Sequence, residues 1–532
     1  MISGDLTEGS VPEDQATVSL TVNEARIIMR PPHEGILKDV CSLTARDFVQ
    51  RQVPPFDMQS IDTPEELFFR YTNRATGQKE VAILPGLLEE IKAYCRKRGI
   101  TYHVKTAFVN PLPKPDIGAT KGWRFKQKEF FTECITPNRS GIFVAFTRYG
   151  KTFQMENTIR AWDKDYRFLL VVPGLDNVSQ LYEHMKSAFP DRNVRWIGGG
   201  RSAVPSSEAK ANIIVTSMDS LHLWAGKEHG GKYEGRNIDF LLVDEPQDLP
   251  TPDRRVKFYH FPRARKYGYT ATAEGRFDNR DKWITAVIGP VLGEKNYPEA
   301  LAEGAVSPIV VVFLRIQMPY PFIWRTRRGA YNGMMFHSPE MAARNARLMT
   351  EIIPESWQTM CFIKDEDQSN VLTQALEQCE HKIAMAKLLS KTERLQITKM
   401  VRNDEIKRIL ATNIYVKGVT FHELKCLINM EGGGGNLNTI QKAGRLAEVR
   451  PGKKAGILID FFFEPSQGLK DEEDRKKLVK ANYRSSASDV RPSWSFLYSD
   501  SLARYHAYRK RGFTIKFAQT EEELKSIIKQ YE

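Results

Sequence analysis

Ala145-Phe146-Thr147-Arg148-Tyr149-Gly150-Lys151-Thr152 is the stretch of sequence on which the organisation of the chain depends. The apolar residues 141–144 before it predict a buried strand, and residues 153–159 after it predict a helix. A strand, a tight loop ending in Gly-Lys-Thr and a helix form a phosphate-binding loop, because backbone N–H groups at the helix start hold phosphate oxygens. Lys151 would reach the β- and γ-phosphates, and the Thr152 hydroxyl is a hard oxygen ligand for Mg²⁺.

The loop departs from the full phosphate-loop pattern at two positions. The full pattern has glycine where Ala145 stands, and many versions also have glycine where Arg148 stands. The alternative interpretation is an ordinary strand, turn and helix with a surface lysine at position 151. A second motif is therefore needed to decide between the two.

Asp244-Glu245-Pro246-Gln247 is that second motif, and it directly follows residues 240–243, a predicted buried strand. In open parallel sheets, ligands bind at the carboxyl ends of the strands. Asp244 is placed to hold Mg²⁺ through water, and Glu245 is placed to polarise the water that attacks a phosphate. An exposed acidic turn is the alternative, but each motif follows its own strand and the two come in the expected order.

Composition narrows the class of protein. The 532 residues predict several domains, and Lys and Arg outnumber Asp and Glu by 78 to 65, a net charge of +13. This excess favours a polyanionic partner, with nucleic acid first and an acidic membrane second, although a merely soluble basic protein is the alternative. The six cysteines are scattered without metal-ligand spacing, and no segment resembles a signal peptide or membrane span. We therefore expect a cytoplasmic protein.

Alternating apolar strands and amphipathic helices begin near residue 118 and again near residue 309, which predicts an α/β fold with two parallel sheets. Residues 505–511 interleave aromatic and basic side chains, and they either lie on a helix against nucleic acid or cap the second lobe. The predicted division is a mobile tail (1–19), a small α+β accessory domain (20–110), a first lobe that binds ATP (111–305), a second lobe (306–463) and a short basic C-terminal extension (464–532).

With these motifs in this order, residues 118–460 resemble superfamily 2 helicases. The resemblance implies two RecA-like lobes that use ATP and Mg²⁺. Gln127 resembles the glutamine that reads adenine in this family, with Trp123 or Phe125 as the stacking ring, and Thr147 fits the threonine of the family's Pro-Thr-type loops. The residues implied for nucleotide binding are Trp123, Phe125, Gln127, Thr147, Gly150, Lys151, Thr152, Gln247 and Gly418, with Thr152 and Asp244 for the metal.

Residues 441–445, Gln-Lys-Ala-Gly-Arg, resemble motif VI of the same family, which carries arginines that face the γ-phosphate. The chain has Glu448 where the family usually has its finger arginine, so Arg445 and Arg450 are both candidates. Residues 270–272 resemble motif III, which couples hydrolysis to movement. The residues implied for catalysis, γ-phosphate sensing and coupling are Glu245, Gln247, Gln441, Arg445, Arg450, Thr270 and Thr272.

Four further segments resemble the family's motifs that hold the nucleic-acid backbone: residues 171–174, 215–217, 361–364 and 411–420. The resemblance implies DNA as the partner, whether single-stranded, duplex or branched, with RNA as the alternative and no membrane. The residues implied for nucleic-acid contact are Pro173, Gly174, Thr216, Ser217, Lys364 and Thr412.

Two segments point to one branch of the family. Residues 297–309 resemble the entry to the second lobe in XPB-like and UvsW-like helicases, and residues 84–88 resemble the domain before the motor in UvsW-like phage recombination helicases. The resemblance implies an ATP-dependent DNA helicase or translocase that unwinds DNA or migrates branches. An RNA helicase or a non-unwinding duplex translocase is one alternative, and an ATP-binding nucleic-acid clamp with little hydrolysis is the other.

Overall fold

The computed structural model divides the chain into two compact units, residues 1–49 with 60–295 and residues 50–59 with 296–532. It describes residues 11–22, 25–50, 58–73, 75–106, 112–162, 164–273, 278–318, 327–376, 382–384, 391–412, 423–433, 436–465 and 494–532. None of the helices in these ranges is both long and apolar enough to cross a membrane.

The first unit begins with a small α+β region. Its elements are β1 (Val18–Val22), β2 (Ile27–Arg30), α1 (Glu34–Asp39), β3 (Ser42–Gln50), β4 (Met58–Glu66), β5 (Phe68–Thr72), β6 (Lys79–Ile83), α2 (Leu88–Arg98) and β7 (Tyr102–Thr106). A mixed sheet has the order β5-β6-β2-β1-β7, and β3 pairs with β4. Buried and partly exposed residues alternate along β1, as expected for a strand with one face on a core.

The rest of the first unit is a parallel α/β lobe. Its elements are α3 (Gln127–Ile135), β8 (Gly141–Ala145), α4 (Lys151–Arg160), β9 (Phe168–Val172), α5 (Leu175–Ala188), β10 (Val194–Trp196), α6 (Pro205–Ala209), β11 (Ile213–Ser217), β12 (Phe240–Asp244), α7 (Pro252–Arg255), β13 (Arg265–Thr270), α8 (Asp281–Ile288) and β14 (Val291–Lys295). The sheet order is β10-β11-β9-β12-β13-β8-β14, and every pairing is parallel. All residues of β8, β9 and β11 are buried, as in a sheet covered on both faces.

The second unit contains another parallel sheet. Its elements are α9 (Tyr297–Ala302), β15 (Ile309–Met318), α10 (Arg327–Tyr331), α11 (Pro339–Arg347), β16 (Gln358–Phe362), α12 (Glu366–Ala375), β17 (Lys382–Ala384), α13 (Lys391–Arg402), β18 (Arg408–Ala411), β19 (Leu424–Asn429), α14 (Asn436–Ala443), β20 (Gly456–Pro465), α15 (Trp494–Lys510), β21 (Thr514–Ala518) and α16 (Glu521–Lys529). The sheet order is β17-β18-β16-β19-β20-β15-β21.

The predicted fold class is confirmed: two parallel α/β lobes, consistent with RecA-like domains, and an N-terminal α+β region. The sequence did not predict the role of the C-terminal residues in the second sheet. β21 pairs in parallel with β15 at the edge of that sheet, so residues assigned to a C-terminal extension add a strand to it.

Within the first unit, Glu65 of β4 binds three groups of the parallel lobe. Its carboxylate accepts hydrogen bonds from Arg280 at 2.8 and 3.0 Å, from Arg255 at 2.6 Å and from the indole N–H of Trp283. The Arg255 guanidinium also lies 4.1 Å from the centre of the Trp283 ring. Because Glu65 is only 10% exposed, this contact is a nearly buried ion cluster that ties the N-terminal region to the lobe.

We expect Glu65→Gln to destabilise the first unit by about 3 kcal/mol, because two cations lose their carboxylate in a site with little water. Burial alone would raise the pKa of Glu65, but the bonds from Arg280, Trp283 and Arg255 outweigh it and hold that pKa below the ordinary value. The stabilisation is therefore present above the ordinary glutamate pKa and is lost as the pH falls through the lowered one.

Thermal unfolding at several pH values measures this effect. The difference in Tm between wild type and Glu65→Gln should shrink as the pH falls below about 4. Glu66→Gln, at an exposed position next to it, is the matched control and should leave Tm unchanged. An equal effect of the two substitutions would contradict the prediction.

Candidate nucleotide-binding site

The strand order of the first sheet brings three loops together. β13 lies between β12 and β8, so the segments that follow these strands leave the same edge of the sheet side by side. Residues 146–150 follow β8, Glu245 and Gln247 follow β12, and β13 ends at Thr270. The phosphate-loop motif, the acidic motif and the first coupling residue thus lie at one edge of the sheet.

Glu245 is the centre of a chain of polar contacts at this edge. Lys151 Nζ donates to Glu245 Oε1, and Gln247 Nε2 donates to Glu245 Oε2. The Thr270 hydroxyl lies 2.8 Å from Gln247 Oε1 and accepts a 3.0 Å hydrogen bond from the Thr272 N–H. The side chains of Lys151 and Glu245 are only 14% and 16% exposed, so water and salt screen their ion pair weakly. The phosphate loop is therefore linked to the end of β13.

Asp244 ends β12 beside this chain. Burial raises the pKa of Asp244 to about 7, the charge of Glu245 adds to the rise, and the cation of Lys151 opposes it. Its carboxylate and the exposed Thr152 hydroxyl on α4 are hard oxygen donors, the type that Mg²⁺ prefers. The donor set fits Mg²⁺, since a bound cation would favour the ionised form of Asp244.

The backbone of the loop explains its sequence pattern. Arg148 and Gly150 have φ values of 78° and 96°, in the left-handed region. Glycine adopts this conformation without steric cost, whereas arginine does not, which is the physical reason why many phosphate loops have glycine at the position of Arg148. Arg148 is partly buried, as is Thr147 before it. Glu245 also has a positive φ of 51°, and strained non-glycine residues of this kind cluster at functional sites.

Gln127 braces the phosphate loop from α3. Its Nε2 donates to the Tyr149 carbonyl at 2.7 Å, and its Oε1 accepts from the Arg124 N–H at 3.1 Å. A Cβ atom on Gly150 would lie 2.8 Å from Gln127 Nε2, so this close approach requires glycine. Each amide atom of Gln127 keeps further hydrogen-bonding capacity beyond these contacts.

The two candidate stacking rings differ in their surroundings. Trp123 donates its indole N–H to Thr120 at 3.0 Å and packs against Phe131 and Phe153, with ring centres 5.0 and 5.4 Å away. Phe125 is 53% exposed and has a φ of 52°. The structure thus places Trp123 in an aromatic cluster and presents the Phe125 ring to solvent.

The residues of the first unit that are predicted to contact nucleic acid differ in their exposure to solvent. Pro173 is partly exposed and Gly174 is exposed, at the start of α5. Thr216 is fully buried and Ser217 is 4% exposed, with its hydroxyl 2.8 Å from that of Ser220. The side chains of Thr216 and Ser217 therefore face the interior of the lobe, and exposure favours only the segment around Gly174 as a contact surface.

In the second unit, Gln441 lies on α14 and Arg445 lies on the one-turn helix Gly444–Ala447 that follows it. Both side chains are buried, at 6% and 7% exposure. Arg450 is 37% exposed, and its Nε lies 3.9 Å from Glu423. The two candidate finger arginines thus differ in burial, and the choice between them stays a prediction.

The remaining predicted residues of the second unit are spread over two strand ends. Lys364 follows β16, is half-exposed, and lies 3.6 Å from Glu431. Thr412 follows β18 and is partly buried. Gly418 lies outside the described residues.

Sequence analysis missed two buried polar contacts near these sites. The hydroxyls of Thr158 on α4 and Tyr269 on β13 lie 2.7 Å apart, and their separation of 111 residues left no signal in the sequence. Lys442 on α14 is 3% exposed, and its Nζ lies 2.8 Å from Glu431 and 3.0 Å from Asn429. Its place within the Gln-Lys-Ala-Gly-Arg segment was the signal that could have identified it.

Two family models match the chain. The model described as type III restriction enzyme, res subunit, matches residues 117–275, and the helicase conserved C-terminal domain matches residues 344–450. Together with the two parallel lobes, these matches support a superfamily 2 helicase, and helicase domains imply a nucleic-acid-dependent ATPase. A relative in Sulfurisphaera tokodaii, the DNA 3'-5' translocase XPB2, is 24% identical over 436 residues, which are 71% of this chain and 93% of that protein.

One of two similar solved structures supports the fold. The DNA-bound ATP-dependent Type ISP restriction-modification enzyme LlaBIII has a TM-score of 0.50 at 11% identity, covering 83% of this chain and 37% of that one. T4 UvsW has a TM-score of 0.37 at 14% identity, covering 94% of this chain and 99% of that one. The latter score is too low to support the UvsW-like branch, which is not confirmed.

Proposed function

We propose that this protein is an ATP-dependent DNA translocase or helicase that couples ATP hydrolysis to unwinding or branch migration. The observation that carries the proposal is the chain of contacts from Lys151 through Glu245 and Gln247 to Thr270, at the carboxyl edge of a parallel sheet. This arrangement places a cation that binds phosphates and a carboxylate that activates water together at the N-terminus of α4.

The site residues of the first unit have the following roles in this proposal. Gly150 and Lys151 bind the phosphates, with Thr147 in the same loop. Thr152 and Asp244 would hold Mg²⁺, which supplies charge neutralisation to the phosphates when bound. Glu245 takes a proton from the attacking water, and Gln247, whose Nε2 donates to Glu245 Oε2, senses the γ-phosphate.

The link from Gln247 to Thr270 gives hydrolysis a route to the rest of the lobe. Loss of the γ-phosphate would change the contacts of Gln247, and Thr270 and the Thr272 N–H would follow because they belong to the same hydrogen-bonded chain. Gln441 and one of Arg445 and Arg450 are proposed to act on the γ-phosphate from the second unit. We also propose the domain boundaries that the sequence predicts.

DNA is the proposed partner for two reasons. The net charge of +13 favours a polyanion, and the relative in Sulfurisphaera tokodaii is described as a DNA translocase. The surface around Pro173 and Gly174, together with Lys364 and Thr412, is proposed to contact the phosphate backbone. Within the superfamily, we propose a role on branched recombination intermediates, as in UvsW-like helicases.

Phosphate release measured with single-stranded DNA, duplex, forked, Holliday and R-loop DNA and RNA tests the proposal, with strand separation followed on the same substrates. We expect branched DNA to stimulate hydrolysis most, with ATP-dependent unwinding or branch migration. Hydrolysis stimulated by RNA alone would identify an RNA helicase. Hydrolysis stimulated by duplex DNA without strand separation would identify a duplex translocase. ATP binding without hydrolysis on any substrate would identify a clamp.

Phe125→Ala tests the adenine contact. We expect the KM for ATP to rise by about tenfold with little change in kcat, because stacking on the base is lost equally in the ground and transition states. Phe125→Tyr keeps the ring and should keep the KM. An unchanged KM in the alanine variant would show that the exposed ring does not stack on the base.

A further inference from the structure

The segment that leads into α14 is held by side chains from two other helices. After β19 the chain turns through Gly432 and Gly433, whose φ values of 63° and 81° are left-handed. The Gly433 N–H donates to the Tyr331 hydroxyl at 2.9 Å, and the Gly433 carbonyl accepts from Arg504 Nη1 at 2.8 Å. Tyr331 ends α10 and Arg504 lies on α15. The N–H and the carbonyl of Gly433 are therefore both hydrogen-bonded to side chains that lie outside the turn.

Both clamping side chains are themselves buried and fully engaged. The Arg504 side chain is 1% exposed, and its Nε lies 3.1 and 3.0 Å from the two carboxylate oxygens of Asp460. The Tyr331 hydroxyl donates to Asp500 Oδ2 at 2.7 Å. Because each donor has a fixed acceptor, neither side chain is able to leave Gly433 without exposing an unpaired buried group.

Packing fixes the same turn. The Tyr331 ring stacks on Phe336 with ring centres 5.5 Å apart. A Cβ atom on Gly432 would lie 2.5 Å from Cε1 of Tyr331, so the turn passes directly against the ring. The position of the Tyr331 ring therefore fixes the place of the Gly432–Gly433 turn.

The other end of α14 is tied to the same cluster. The Nζ of Lys442 lies 3.0 Å from Asn429 Oδ1, and Asn429 Nδ2 lies 3.2 Å from Asp460. Asp460 thus connects through Asn429 to Lys442 near the end of α14, and through Arg504 to the Gly433 turn. Gln441 precedes Lys442 directly, and Arg445 follows three residues later.

We propose that Tyr331 and Arg504 are positioning residues for ATP hydrolysis, which act by fixing the Gly432–Gly433 turn and hence α14, which carries Gln441, and the one-turn helix after it, which carries Arg445. This inference rests on the proposed function. Neither residue is proposed to touch the nucleotide, and the C-terminal segment that provides Arg504 becomes part of the hydrolysis machinery rather than an appendage.

Tyr331→Phe removes only the hydroxyl that receives the Gly433 N–H. The matched control is Tyr297→Phe, which removes a hydroxyl that accepts the Ile309 N–H at 2.7 Å, from another buried tyrosine of the second unit that lies outside this cluster. We expect Tyr331→Phe to lower the kcat of DNA-stimulated ATP hydrolysis by about tenfold, with the KM for ATP nearly unchanged, since a small misplacement of Gln441 and Arg445 costs rate. Tyr297→Phe should have a similar loss in Tm and a kcat close to wild type.

Hydrogen exchange of the α14 amides gives a second readout that does not depend on activity. Exchange at 436–443 should be faster in Tyr331→Phe than in wild type and unchanged in Tyr297→Phe. Equal kcat and equal exchange in the two variants would overturn the positioning role. A wild-type protein without any nucleic-acid-stimulated hydrolysis would instead overturn the proposed function, whereas the exchange experiment would still decide whether Tyr331 fixes α14.

Discussion

Lys151→Ala is expected to lower ATP hydrolysis by about 10³-fold, to background, while nucleic-acid binding survives. The ammonium of Lys151 is the cation that the phosphate loop offers to the β- and γ-phosphates. Its removal also leaves the carboxylates of Glu245 and Asp244 adjacent without their shared cation, so the pKa of Asp244, already raised to about 7, would rise further. Phosphate binding is thus lost, and ionisation of Asp244 becomes less favourable.

Phosphate release at saturating DNA measures the loss, and DNA binding without nucleotide measures what is retained. Lys128→Ala is the matched control, because this lysine is exposed on α3 of the same lobe. It should hydrolyse ATP like the wild type. Substantial hydrolysis by Lys151→Ala would show that residues 145–152 are not the phosphate loop of an ATPase.

The fold was predictable where a short apolar run is followed by a diagnostic turn. β8 and β12 are fully or almost fully buried in a parallel sheet and read as runs of apolar residues whose ends mark the ligand edge, whereas β13, which is almost as buried, begins with Arg265 and Lys266. The contact of Glu245 with Lys151 follows from those ends, although 94 residues separate the two. The strand order β12-β13-β8 then places the loops after these strands side by side, which the motifs alone only suggested.

Other parts of the site depend on tertiary packing that leaves no local pattern. The buried positions of Thr216 and Ser217 come from β11 lying inside a sheet covered on both faces, which a motif match does not encode. The bracing of Tyr149 by Gln127 depends on how α3 packs against the loop. The left-handed backbone of Arg148 conflicts with local preference, and such conflicts are expected where function overrides it.

The C-terminal residues show a further limit of sequence patterns. Residues 505–511 interleave aromatic and basic side chains, which left open a helix against nucleic acid or a cap on the second lobe. In the structure, Tyr508 of α15 is 1% exposed and bonded to Asp460, whereas Arg509 is exposed. The packing of Tyr508 therefore favours the cap, and the exposed arginine keeps the same helix basic on its outer side.

Arg504→Met is expected to destabilise the second unit by about 3–5 kcal/mol, the largest effect we predict on stability. The side chains of Arg504 and Asp460 are 1% and 0% exposed, so the variant leaves a buried carboxylate without its cation. It also removes the donors to the Gly433 and Phe461 carbonyls, at 2.8 and 2.7 Å. Arg509→Met, at an exposed position of the same helix, should change stability very little.

Hydrogen exchange of the β20 amides measures this loss, because it reports the local opening free energy in a protein of several domains. The double variant Arg504→Met with Asp460→Asn distinguishes a buried charge from lost packing. If the penalty comes from the unpaired carboxylate, the double variant should be destabilised by less than the sum of the two single variants. Additive losses would mean that Arg504 stabilises the unit through its packing and its carbonyl contacts, and that its ion pair with Asp460 contributes little.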